Sequence, residues 1–368
     1  MLLAFAEPAG VRRAHLPARF ATGLRDLHPG SFAFVMATGI LSTAAAAFGL
    51  PLVSDALLLV ALLGYALLVA LFLGRGVLFT SEAWADTARP ERAFGFFTFV
   101  AGSNVLAVRL AAAGWASAAA GLAVTGAIAW VLLAYGLLAR VVLAPRKPDP
   151  EHAINGTWLI WVVGTQSVSI AASTLGTHLG LEPRLAALAA VSLWAFGALL
   201  YLLLMGIVLA RLVLGAVDAV QAAPPYWISM GATAITVLAG AELLRLPADL
   251  PSLAASRTTI DGLTLFLWAF GTWWFPFLLL LTGWRYRTLT APAYEQTLWS
   301  MVFPLGMYAV ATDAYGRAAH LPLLPALARG EVWLALAAWV VVALWMAASW
   351  FAPGWPGGRG ELAHARGA

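Results

Sequence analysis

The side chains in this 368-residue sequence that could do chemistry are few and scattered. There is no cysteine, which excludes disulfides, thiolate metal sites and iron–sulfur clusters. His28, His152, His178 and His320 all fall at the ends of apolar segments, so no histidine pair is placed to ligate a haem or a metal. No HExxH, Walker or GxSxG sequence occurs. No catalytic residue, metal or cofactor is therefore expected, and a membrane enzyme is a poor reading. What remains is a population of small polar side chains, which can solvate a passing ion or bond to one another. Among them are Thr38, Ser42, Thr98, Asn104, Thr165, Gln166, Ser169, Ser173, Thr233 and Ser300. The charged residues nearest them are Arg109, Glu242 and Asp313, each near the end of its segment.

The elements that carry these residues are membrane spans. Only 10% of residues are charged and 62% are hydrophobic, against about 25% charged in a soluble domain. A spanning helix needs about 20 mostly apolar residues. Ten such stretches fit, at 29–48, 55–74, 94–112, 117–140, 154–176, 185–211, 226–244, 260–283, 296–315 and 331–351. Lipid offers the backbone no hydrogen-bond partner, so each must be helical. The fold class expected is all-α integral membrane, with one ten-span domain at 29–352 between tails at 1–28 and 353–368. The first apolar run stops at Glu7, and Arg12 and Arg13 follow it, which is not the order of a signal peptide. Placing both termini inside puts 15 of the 21 basic residues on the inner side and 6 outside. That predicts an even number of spans and cytoplasmic tails at the cell membrane. A net charge of +4 spread over short loops is no nucleic-acid signal.

The odd spans begin near 29, 94, 154, 226 and 296, a spacing of 60–72 residues that predicts five helical hairpins. The odd spans hold 22 Ser, Thr, Asn and Gln residues and the even spans 7. Polar side chains in a membrane face the bundle interior or a wet cavity. This contrast predicts an inner ring of five odd helices around a pore and an outer ring of five even helices. Five parallel dipoles would present positive ends at one mouth and favour anions. The same hydroxyls would also serve as plain packing glue. Residues 166, 169 and 173 fall on one face of the fifth span, to line a conduit or to bind a neighbouring helix. In the ninth span, Pro304 deprives the carbonyl of Ser300 of its helical partner. The resulting kink places Phe303 either as a plug or as an ordinary core residue. Arg109 either attracts an anion or snorkels to the interface.

Three segments resemble the tellurite-resistance/dicarboxylate transporter family, which includes fungal malate and sulfite permeases and plant slow anion channels. They are His28-Pro29-Gly30-Ser31-Phe32-Ala33-Phe34-Val35-Met36-Ala37-Thr38-Gly39-Ile40, Asn155-Gly156-Thr157-Trp158-Leu159 with Val163-Gly164-Thr165-Gln166-Ser167-Val168, and Trp299-Ser300 through Phe303-Pro304-Leu305-Gly306-Met307-Tyr308-Ala309. The resemblance covers residues 25–352. It implies a ten-helix protomer with a pore inside five inner helices, assembled as a homotrimer, and a gate at Phe303 in its Phe-Pro context. It also implies that Gln166 stands where the plant channels have a second phenylalanine. The expected function is transport of a small anion, either a C4-dicarboxylate such as malate or a monovalent inorganic anion. The alternative is a proton-coupled exporter of sulfite or tellurite-type oxyanions, with Asp313 or Glu242 as the protonatable group.

Overall fold

The computed structural model describes residues 17–145, 149, 153–217, 219, 224–247, 249–289 and 293–351. Expectations that fall on residues 1–16, 146–148, 150–152 and 352–368, including the basic residues of both tails and His152, lie outside the described residues. Among the described residues there is no strand. Ten long helices follow in order: α1 (Ala33–Ala47), α2 (Pro51–Leu78), α3 (Phe97–Ala112), α4 (Ala116–Val142), α5 (Ile160–Leu175), α6 (Pro183–Leu214), α7 (Ile228–Arg245), α8 (Arg257–Thr288), α9 (Trp299–Ala318) and α10 (Leu323–Phe351). A short helix, Ala18–Arg25, precedes them and packs against α2 through Leu24.

Nine helices among the described residues are long and apolar enough to cross a bilayer. The helix outside that set is α9, which has the length, at 20 residues, but carries Pro304, Asp313 and Arg317. It tolerates those residues because other helices, not lipid, surround most of it. Burial separates the helices into two classes. Over a membrane-length stretch, 72–94% of residues are buried in α1, α3, α5 and α7, against 17–39% in the five even helices.

The packing explains the division. Helix α1 packs on α3, α3 on α5, α5 on α7, α7 on α9 and α9 back on α1, closing a cycle of five inner helices. Each outer helix packs against the inner helix that precedes it in the chain. Small residues let the inner backbones approach. A β-carbon at Gly39 would lie 2.9 Å from Val105 Cγ1, and one at Gly231 would lie 2.9 Å from Pro304 Cγ.

Every inner helix is preceded by a 3₁₀ turn: Pro29–Phe32, Phe94–Phe96, Gly156–Leu159, Pro224–Trp227 and Gln296–Leu298. These turns touch in sequence around a second closed ring. All five inner helices therefore start at one face of the molecule and their dipoles point the same way.

A third cycle links the two classes of helix. Tyr65 Oη on α2 hydrogen-bonds Ser103 Oγ on α3 at 2.9 Å. Trp130 Nε1 on α4 donates to Thr165 Oγ1 on α5 (2.9 Å), and Trp194 Nε1 on α6 donates to the Thr236 carbonyl on α7 (3.1 Å). Trp268 Nε1 on α8 donates to Thr312 Oγ1 on α9 (3.1 Å), and Trp339 Nε1 on α10 returns to Thr38 Oγ1 on α1 (3.0 Å). Each outer helix thus bonds through an aromatic residue to the inner helix of the next hairpin.

Candidate functional site: the centre of the inner ring

At mid-height the five inner helices leave a cavity of about 40 Å³. All five contribute to its wall: Ile40 from α1, Asn104 and Val105 from α3, Ser167 from α5, Ile235 from α7 and Met307 from α9. Its polar side chains are Thr43, Asn104 and Ser167, and none of its lining residues carries a formal charge. The volume accommodates about three water molecules, each needing roughly 10–15 Å³ of such space. Asn104 Nδ2 donates to Ser167 Oγ at 3.0 Å, and Ser167 donates in turn to the Gly164 carbonyl at 2.7 Å. That order fixes the amide of Asn104, whose buried Oδ1 has no hydrogen-bond partner.

Phe303 lies one helical turn before Met307 on α9, on the same face, and is 2% exposed. Its ring packs toward Gly231, where a β-carbon would come within 3.4 Å of Cε1. Pro304 fills the same notch, and α9 continues through it as one helix. Ser300, four residues earlier, is half-buried.

The other polar residues expected in the lining are turned elsewhere. Thr38 and Thr165 are engaged by Trp339 and Trp130 of the outer ring. Gln166 Nε2 donates to the Trp194 carbonyl of α6 (3.1 Å) and lies against Gly197, where a β-carbon would clash with it at 2.5 Å. Ser169 donates to the Ala190 carbonyl of α6 at 2.7 Å. Ser173 and Thr233 donate within their own helices, to the carbonyls of Ile170 and Met230. Thr98 donates to the Gly95 carbonyl in the ring of turns. Of the expected lining, Asn104 alone borders this cavity. A hydroxyl or amide inside a membrane protein seeks a hydrogen-bond partner; for Thr38, Thr165, Gln166 and Ser169 it lies on an outer helix, and for Ser173, Thr233 and Thr98 within their own helix or the turn before it.

The charged candidates are likewise committed. Arg109 does not snorkel. It is buried, and donates to Ser42 Oγ (3.0 Å), Ser54 Oγ (2.8 Å) and Asp55 Oδ1 (3.3 Å). Ser42 and Ser54 also exchange hydrogen bonds with each other's carbonyls, so Arg109 clamps α1, α2 and α3. Glu242 pairs with Arg245 at 2.7 Å and Asp313 with Arg317 at 2.8 Å.

At the face where the inner helices begin, buried Arg75 pairs with Asp86 (2.7 Å), which also meets Arg92 (3.0 Å). His28 caps the first turn, its Nδ1 accepting from Gly30 N–H at 2.9 Å. Burial, and then the charge of Arg92, lower its pKa from 6.5 to about 4.

The residues that sequence reasoning missed are mostly apolar, such as Ile40, Val105, Ile235 and Met307. No sequence signal separates a cavity-lining aliphatic residue from a core one. The half-buried Glu331 was missed because α10 begins eight residues earlier than its apolar run suggests.

The geometry now stands beside known proteins. The family model SLAC1, described as voltage-dependent anion channel, matches residues 26–347. An uncharacterized membrane protein of Mycobacterium tuberculosis (strain H37Rv) is 43% identical over 143 residues, which is 39% of this chain and 72% of that one. An uncharacterized transporter of Methanocaldococcus jannaschii is 27% identical over 222 residues, 59% of this chain and 64% of that one. The chain belongs to the SLAC1 family, a family of membrane proteins that transport anions and are channels or transporters rather than enzymes.

Proposed function

We propose that each protomer passes a small anion along the axis of its inner ring, through the central cavity, and that Phe303 gates the path. The observation that carries this reading is the cavity itself, which all five inner helices line and which ends one turn short of a buried phenylalanine. Two further features support it. Five like-directed helix dipoles meet at one mouth, and the cavity wall holds no formal charge that would have to be neutralised. The small volume favours a monovalent anion, because a C4-dicarboxylate requires the inner helices to part. The basic-residue count supports cytoplasmic termini at the cell membrane, and the family resemblance supports a homotrimer with one path per protomer.

The test is flux in proteoliposomes over chloride, nitrate, sulfite, malate and tellurite. Wild-type protein is expected to pass small monovalent anions slowly, and Phe303→Ala to pass them faster. Removing a buried phenylalanine costs about 3–5 kcal/mol, so the comparison is made on variant that remains monodisperse and helical. If such folded protein shows unchanged flux, Phe303 is not the gate. Coupled export of sulfite or tellurite through Asp313 or Glu242 is disfavoured by the ion pairs that already occupy both carboxylates.

A further inference from the structure

The carboxyl group of Glu331, on α10, belongs neither to the central path nor, among the described residues, to an ion pair. Glu331 lies eight residues past the start of α10, about 12 Å along the helix axis at 1.5 Å per residue. Its side chain is half-buried, and its Oε2 is fully buried with no hydrogen-bond partner. Across the α9–α10 contact it faces Thr312. The oxygen of Thr312 accepts from Trp268 Nε1.

The other half-buried or buried acids of this end of the molecule have partners: Glu242 has Arg245, Asp313 has Arg317, and Asp261 accepts from Tyr315 Oη at 2.9 Å. No cation lies within 4.0 Å of Glu331 among the described residues. The groups around it offer none in compensation. From α9 come Tyr308, which bonds Thr272, and Asp313, already paired with the exposed Arg317. Helix α1, also packed on α10, carries no titratable side chain. On α10 itself, Arg329 is exposed. A carboxylate held in a low-dielectric helix interface without a counter-charge is penalised, and the neutral acid is not.

Thr312 is five residues from Met307 and nine from Phe303 on the same helix, so whatever moves the α9–α10 contact moves the gate. We propose that Glu331 is a proton-binding site, and that its occupancy sets how readily α9 shifts off the central path. The part concerning the gate rests on the transport reading above. With the proton bound, the packing seen here holds and flux is low. With the proton released, the carboxylate is drawn toward water at the near end of α10, and α9 follows.

Two measurements on purified full-length protein in lipid test this. Infrared spectroscopy titrated with pH should show a protonated-carboxyl C=O band that Glu331→Gln removes and Asp313→Asn keeps. Nitrate flux, with an anion that does not itself titrate, should rise severalfold from acid to alkaline buffer in wild type and stay at the acid level in Glu331→Gln. A spectrum unchanged by Glu331→Gln overturns the proton site. A band that disappears beside an unchanged flux profile overturns its control of the gate. Absence of anion flux at every pH defeats the transport reading and the control of the gate with it, while the infrared band still decides the proton site.

Discussion

Gln166 and Ser169 are held by the backbone carbonyls of Trp194 and Ala190 on α6, and this is the clearest statement of what the polar inner residues do. Their spacing identifies one face of a helix, as the three-and-four rule requires. It does not say what that face meets. An outer helix and a watery lumen both welcome an amide, so which helices are polar was legible in the sequence and which way their polar groups turn was not. Asn104 was legible because it is polar and also central, where Ser167 holds it against the cavity. The distinction is measurable. Gln166→Leu is expected to change thermal stability by about 1 kcal/mol, the scale of a hydrogen bond between membrane helices, and to leave the order of anion permeabilities unchanged. A reordered permeability series would return Gln166 to the lining.

At the level of elements, the spacing of 60–72 residues foretold five hairpins, and the contacts bear them out. Helix α9 continues as one element through Pro304, whose pyrrolidine ring packs against Gly231 of α7. The 3₁₀ turns were invisible in the apolar pattern, since their Pro, Gly and aromatic residues read simply as helix starts. Those turns meet backbone to backbone. A β-carbon at Gly156 would lie 2.1 Å from the Pro225 carbonyl oxygen, which cannot retreat as a side-chain tip would. Gly156→Ala is therefore expected to abolish recovery of folded protein from membranes. Gly262→Ala on α8, with nothing within 4 Å, should behave as wild type in size-exclusion chromatography and thermal melts.

For the molecule as a whole, acidity acts at the ring of turns. His28 is neutral in the folded protein down to about pH 4, whereas the unfolded chain takes up a proton near 6.5. Between those values the unfolded state binds more protons, so stability rises with pH across the window and is lost as pH falls through it. Melting temperature should drop between neutral pH and pH 5 in wild type, and drop less in His28→Asn, whose carbonyl oxygen also accepts from Gly30 N–H. An equal slope in both proteins would place the acid sensitivity elsewhere.

The bond from Trp339 to Thr38 joins residues 301 positions apart. During synthesis the first hairpin enters the bilayer with its threonine unclaimed until the last hairpin emerges. The barrel of helices therefore has one seam that is sewn after everything else, and a chain interrupted before its final pair leaves α1 and α7 open along that side. Trp339→Phe removes only that stitch and Trp268→Phe an equivalent one within the chain. The first should slow maturation of newly made protein, followed by pulse-chase protease resistance, more than the second, although both remove one hydrogen bond of the same kind.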